Sequence, residues 1–399
     1  MKKKTSFTIF CMALFTALTA APVSAERIPM PSITVPTAAS SGFGGPHVAF
    51  TDNVFSLLVN PAAMMHVQQR SFFALSASLL NPQTTFSIAS GVRDALRDAS
   101  SASILDVVDV LSEQNGRIAL GLELREIPLS IAWVANGFGF GLWNRSFVQV
   151  EVIGDYHRAT VYSDIMLPVG FAFSVLDWGW GQHTLDAGFT VKPFARFMVR
   201  ERGFITDMLD NSDMEFVAPV ILGGGLDAGL LYRWAGGLQA GLTFTDIFSR
   251  ATVAANLADT DDSSRYYVPF AVNAGVSYCF EMFGFARITL AANWRDIGNV
   301  FNQNDYLNNR NYLLDFGAGM QLSLFDMLFF RMGMNEMLPA VGFGFTFGAL
   351  NIDLAYYGRE LGYEPGQLSA AAVDLSITIR PGARKRSWAW TEGSIFVGP

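Results

Sequence analysis

The chain has 399 residues, of which 51% are apolar, 13% aromatic and only 16% charged, with 27 basic residues against 35 acidic ones and a formal charge of −8. That acidic balance excludes nucleic acid as an electrostatically recruited partner, and two cysteines are too few for a metal-binding cysteine cluster. Mean hydropathy is +0.28, yet no stretch beyond the first 25 residues is an unbroken apolar run of helix-spanning length, so membrane-crossing helices are excluded.

Lys2, Lys3 and Lys4 form a basic n-region, Phe7 to Leu18 an apolar h-region, and Val23-Ser24-Ala25 a small-residue cleavage site. Residues 1–25 therefore read as a signal peptide, with a mature chain from Glu26, because the apolar run is shorter than the roughly 20 residues of a spanning helix. Cys11 lies inside the h-region, so only Cys279 survives cleavage and no internal disulfide can form. Losing three lysines leaves 24 basic against 35 acidic residues, a net charge of −11.

Residues 26–69 are punctuated by Pro29, Pro31, Pro36, Gly42, Gly44, Gly45 and Pro46 and show no period-2 pattern. They are expected to form an irregular hatch that needs shelter, which a barrel lumen would provide. Strand chemistry begins at Arg70, and Pro82 makes the stretch to residue 92 either one kinked strand or a tight hairpin, the kink being preferred on parity. Between residues 93 and 113 the period changes: Ile104, Val107, Val108 and Leu111 recur at i, i+3, i+4, i+7, which predicts an amphipathic helix in a long outer connection. Phe204 to Leu209 is a second short helical candidate. The acidic run Asp259 to Asp262 and the asparagines of 299–311 fit solvated outer loops, and neither is assigned a metal.

Over most of 137–380 side chains alternate. In Ala340 to Gly348, one phase is Val341, Phe343, Phe345 and Phe347, and the other is Gly342, Gly344, Thr346 and Gly348. One greasy face opposite a small, polar, sparsely charged face predicts an all-β fold, a transmembrane antiparallel β-barrel. Thirteen strands, this one among them, are expected at 128–136, 138–152, 160–177, 183–200, 219–234, 238–247, 265–281, 285–296, 311–325, 327–335, 339–348, 350–360 and 367–380. Adding one strand within 70–92 gives fourteen, an even number with both termini on one side. The barrel is thus expected over 70–380, followed by a tail at 381–399.

The inward phase should carry Asp186, Thr190, Lys192, Phe194, Arg196, Met198 and Arg200, with Asp227, Arg233, Arg287, Arg295, Asp315, Gln321, Asn351, Asp353, Arg359, Asp374 and Arg380 on later strands. Charges of both signs across a lumen suit a network that holds a plug. The sharper expectation is that Arg196, Arg200 or Arg233 contacts an anionic ligand group, since a guanidinium takes a carboxylate through two parallel hydrogen bonds. Trp133, Trp143, Trp178, Trp180, Trp234 and Trp294 near strand ends fit interfacial girdles. His47, His66, His157 and His183 form no metal-binding pair, and the Gly-x-Gly runs at 137–141 and 342–344 alternate with aromatics as strands do. No catalytic residue, metal or cofactor is assigned, and the expectation is that the protein is not an enzyme.

Gly42-Phe43-Gly44-Gly45-Pro46-His47-Val48-Ala49-Phe50, then Asp52-Asn53, then Asn60-Pro61-Ala62-Ala63-Met64, resembles the N-terminal hatch of the FadL-type outer-membrane transporters of hydrophobic compounds. Locally, Asn60 can bond its own backbone, Pro61 fixes φ and the alanines permit close approach, which makes a rigid corner. The resemblance implies an outer-membrane location among lipid and passive uptake of a hydrophobic small molecule such as a long-chain fatty acid. It implies capture at loop residues such as Ile104, Val107, Val108 and Leu111, and passage by the hatch or a gap in the wall. The chain departs from the family's aromatic C-terminus, ending in Arg384-Lys385-Arg386 and then Phe396-Val397-Gly398-Pro399. The rival reading is a PorV- or TraF-like barrel that partners a secretion or envelope assembly through that basic tail.

Overall fold

The computed structural model describes residues 27–30, 32–51, 53–71, 73–84, 117–125, 130–153, 156–204, 219–256, 265–282, 284–297 and 310–380. Its strands are β1 Arg27–Pro29, β2 Gln68–Ser71, β3 Phe73–Leu80, β4 Arg117–Arg125, β5 Ile131–Ala135, β6 Phe138–Ile153, β7 Tyr156–Met166, β8 Val169–Trp178, β9 His183–Phe204, β10 Pro219–Trp234, β11 Leu238–Asn256, β12 Arg265–Tyr267, β13 Ala271–Met282, β14 Ala286–Trp294, β15 Phe316–Leu324, β16 Leu328–Asn335, β17 Leu338–Phe347, β18 Leu350–Glu360 and β19 Ser369–Ile379. Neighbours pair antiparallel around a ring that β19 closes onto β3. β2 with β3, β4 with β5, β7 with β8 and β12 with β13 are each halves of one stave, so the wall is a closed barrel of fourteen staves. Closure leaves no sheet edge for lipid to solvate, which is what a strand-built membrane span requires.

The alternating chemistry sets the two faces. Along β9, Asp186, Gly188, Thr190, Lys192, Phe194, Arg196 and Met198 are buried inward, while Leu185, Ala187, Phe189, Val191 and Ala195 point out. On β17, Val341 and Phe347 are 52% and 67% exposed on the outer face while Gly344 is buried. Tight turns close one end: Asn136 and Gly137 have φ of 51° and 76°, and Phe325 and Asp326 55° and 51°. These left-handed pairs match the twist of a hairpin. The long connections, including 81–116, 205–218 and 295–315, leave from the other end. Stave one starts and stave fourteen finishes at the tight-turn end, as parity requires. Cysteines at 341, 343, 345 and 347 should resist a membrane-impermeant thiol reagent in bilayers, whereas those at 342, 344 and 346 should react once the plug is removed. Equal labelling of the two sets would contradict this orientation.

Several expected boundaries shift. The first stave neither kinks through Pro82 nor turns back there. β3 ends at Leu80 because Asn81 is left-handed, with φ 45°, and donates from Nδ2 to Ala119 O at 2.7 Å. Pro82, lacking an N–H, then opens a helical turn. The second stave starts at Arg117, well before residue 128, and Asp315 lies in a 3₁₀ turn, Tyr312–Asp315, ahead of β15. Trp143 is no girdle residue. It shares the inward phase of Arg145 and Phe147 and is 2% exposed, whereas Trp178, Trp180, Trp234 and Trp294 are exposed as girdle residues are. Trp133 is half-buried beside Phe138 and Phe140.

Candidate functional site

The described residues between 30 and 67 lie inside this wall. β1 adds in parallel to β12 near the long-loop end, and the chain then descends through helix α1 (Ala38–Gly42), helix α2 (Ser56–Val59) and the 3₁₀ turn Pro61–His66 to enter β2. Thr37 caps α1 reciprocally with Ser40, and Asn60 caps the 3₁₀ turn by accepting from Ala62 N at 3.1 Å, with Pro61 at its first position. Asn60 is fully buried. Its Nδ2 donates to Val48 O at 2.8 Å within the plug and to Leu230 O of the wall at 3.2 Å.

Inward glycines turn out to be the seat of this plug. A Cβ at Gly319 would lie 1.9 Å from Phe43 O, one at Gly229 2.2 Å from Asn60 Oδ1, one at Gly241 2.5 Å from Val48 O, and one at Gly188 2.5 Å from the Pro61 carbonyl carbon. Gly170 meets Leu57, Gly333 meets Gly44 N at 2.7 Å, and Gly342 meets Gly42. The collar therefore touches β8, β9, β10, β11, β15, β16 and β17, with plug backbone directly on wall glycines at β9, β11, β15, β16 and β17. Within the plug Gly44 and Gly45, at φ 87° and 103°, make the left-handed bend that brings the Phe43 carbonyl to the wall. His47 is buried behind it with Nε2 3.0 Å from Phe43 O, and burial pushes its pKa down to about 4, leaving it neutral.

Polar groups pin the plug between the collar contacts. Ser41 Oγ donates to Asp374 at 2.7 Å, Ser32 Oγ to Asp246 at 3.0 Å and Ser277 Oγ to Ala49 O at 3.2 Å, while Arg145 Nη1 donates to Thr34 O at 2.9 Å and His66 lies 2.6 Å from Asp186. Asp374 and Asp246 among these wall carboxylates are themselves paired with wall cations, as are others near them. Arg125 bridges Glu123 and Asp374, Lys192 lies 2.8 Å from Asp227 and 3.0 Å from Asp246, and Arg331 is 2.7 Å from Asp353. Buried charges must be matched in this way, because an unpaired one costs several kcal/mol.

The lumen is chemically lopsided. Inward positions of β5 to β12 carry Val134, Trp143, Phe147, Tyr162, Met166, Phe194, Met198, Ile221 and Tyr266, packed with Met30, Ile33, Val35 and Phe55 of the plug in one apolar cluster. Across from them, β15 to β19 present glycine, alanine and hydroxyl side chains with the Arg331 and Asp374 networks. Trp143, Phe147 and Tyr162 form the centre of this strip, with Trp143 paired across the ladder with Met166 and Phe147 with Tyr162.

No protein-family model and no curated protein sequence matches the chain. Solved structures similar to it include the CymD monoaromatic hydrocarbon channel, at 12% identity over 88% of this chain and 98% of that one with a TM-score of 0.48. A Pseudomonas aeruginosa FadL homologue aligns at 11% identity over 89% and 99% with a TM-score of 0.44. The P. putida toluene transporter TodX aligns at 10% over 86% and 98%, also at 0.44. The likeness is one of fold.

Of the residues singled out in the sequence, Asn60, Pro61 and Ala62 come together as the corner against Gly188 and Gly229. Arg196 is fully buried, with both prongs of its fork on Asp164 at 2.6 and 2.9 Å. Arg233 lies on β10 near the tight-turn end, paired across the ladders with Gln239 and Thr184, and the Arg200 side chain falls outside the described ones. Ile104, Val107, Val108, Leu111 and the tail at 384–386 also lie outside the described residues. The residues that sequence reasoning missed are Trp143, Phe147 and Tyr162. A phase count along 138–152 would have put the first two inward beside Arg145.

Proposed function

We propose that this chain is an outer-membrane channel that passes hydrophobic small molecules down their gradient, along the apolar strip of the lumen. The observation that carries the reading is the continuity of the strip between wall and plug: Trp143 packs on Phe55 and Phe147 stacks on Tyr162 within one apolar cluster. A collar that seats the plug on seven strands favours an exit through the side of the barrel over one straight down the axis. The outer apolar belt and the signal-peptide character of residues 1–25 support the location. Fatty acids, the cargo the sequence resemblance implies, differ from other hydrophobes in bringing a carboxylate that needs a partner inside.

Phe147→Asp and Met166→Asp each place a polar charge in the strip and should cut uptake of a radiolabelled long-chain alcohol into proteoliposomes roughly tenfold, the equivalent of losing one buried apolar contact surface. Assembly is checked by heat-modifiable migration. Unchanged uptake by both correctly assembled variants would remove the strip as the route.

A further inference from the structure

Arginines in the strip stand where a ligand headgroup would be received, and each is already occupied. Arg196 holds Asp164 bidentately and its guanidinium carbon lies 5.2 Å from the centre of the Tyr162 ring. Arg145 approaches Tyr162 at the same distance and lies 5.9 Å from the Phe147 ring centre, with its Nε on Glu123 and one Nη on the plug at Thr34 O. Phe147 and Tyr162 stack at 4.8 Å. Arg125 joins Glu123 to Asp374. Three guanidiniums thus meet three carboxylates, all buried, so each of the three lies against an opposing charge beside the aromatic surface.

Resting on the conduit reading above, we propose that the channel carries uncharged hydrophobes, and that Asp164 and Glu123 are the specificity-determining residues that refuse anions. A carboxylate entering the strip has two options. It can displace Asp164 or Glu123 and leave that group buried without its partner, or it can lie beside a like charge in a water-poor site, and both are costly. An alcohol, alkane or arene meets only ring faces, thioethers and saturated guanidinium planes, which accept it without breaking a pair. Arg359 of β18 is the further inward arginine near this group, with Glu123 and Glu336 as its opposing charges.

The test compares radiolabelled 1-dodecanol and dodecanoate binding at pH 8 to the full chain in lipid nanodiscs, with empty nanodiscs subtracted. Wild-type protein should hold dodecanol and bind dodecanoate at least about tenfold more weakly. Asp164→Asn, which frees the Arg196 fork, should raise dodecanoate binding about tenfold, the scale of one charge-assisted hydrogen bond pair, and leave dodecanol unchanged. Asp164→Leu combined with Arg196→Met removes the pair and should keep refusing dodecanoate. Glu123→Gln, which frees Arg145, gives the same readout if Asp164→Asn does not assemble. Equal binding of both ligands by wild type overturns the proposal, and loss of that dodecanoate binding in Arg359→Gln would transfer the headgroup to Arg359. A folded Asp164→Asn with an unchanged ratio also overturns it. Binding of neither ligand takes down the conduit reading and this inference together.

Discussion

Replacing Gly319 with alanine is expected to unseat the plug while leaving the wall intact. The new methyl carbon would stand 1.9 Å from Phe43 O, and the clashing atom is backbone held by the left-handed bend at Gly44 and Gly45, so no rotamer relieves it. Overpacking of this kind costs about 3 kcal/mol, at the upper end of the usual range. Gly319 sits mid-strand in β15 with ladders to β14 and β16, and neither ladder needs the glycine, so barrel assembly should survive. Adding Gly188→Ala on the far side of the plug should act nearly additively, since the two collar contacts share no partner. Single-channel conductance to small ions should rise toward that of a barrel lacking residues 26–69, and the plug should become cleavable by added protease. Gly224→Ala is the control, because its nearest neighbour would be 3.6 Å away. If Gly319→Ala conducts and resists protease like wild type, the collar does not seat the plug.

Asn60→Ala should release the same plug from its other end. The substitution deletes two donated hydrogen bonds, to Val48 O and Leu230 O, and one accepted from Ala62 N, all in a fully buried site. The Val48 carbonyl and the Ala62 amide would lose this partner and the Leu230 carbonyl its bond from the plug, a loss of roughly 3 kcal/mol after partial relaxation. Asn60→Asp is the discriminating variant. It keeps an acceptor for Ala62 N but turns a carboxylate toward two carbonyl oxygens, so it should be at least as damaging as alanine. A structural corner that merely needs a small polar residue would tolerate aspartate. Protease sensitivity of the plug and a raised conductance are the readouts for both variants, and milder behaviour from Asn60→Asp than from Asn60→Ala would discard this role for the amide.

Local chemistry made much of the architecture legible. A period of two places Val341, Phe343 and Phe347 on one face and Gly342 and Gly344 on the other whatever the rest of the chain does, and Asn136-Gly137 is a hairpin turn wherever it occurs. Parity then fixed fourteen staves even though the first was expected to run through Pro82 and half of the second, β4, was absent from the expected strands. The alternation Ile118, Leu120, Leu122, Leu124 that forms β4 directly follows the helical period of 93–113.

What the inward face meets was decided by closure of the ring. The sequence by itself determined that Gly188, Gly229, Gly241 and Gly319 point away from lipid, and no local rule says whether such glycines line water or carry a plug. Their partners lie 126 or more residues away in the chain and become neighbours only when β19 reaches β3. The same holds for the arginines. Sequence put Arg196 inward as a candidate anion receptor, but its guanidinium is taken by Asp164, 32 residues earlier, because β7 and β9 pair with those two positions directly opposite. Alternation is a property of one strand, whereas the tertiary structure chose the occupant of each face, because contact across a lumen depends on register summed around fourteen staves.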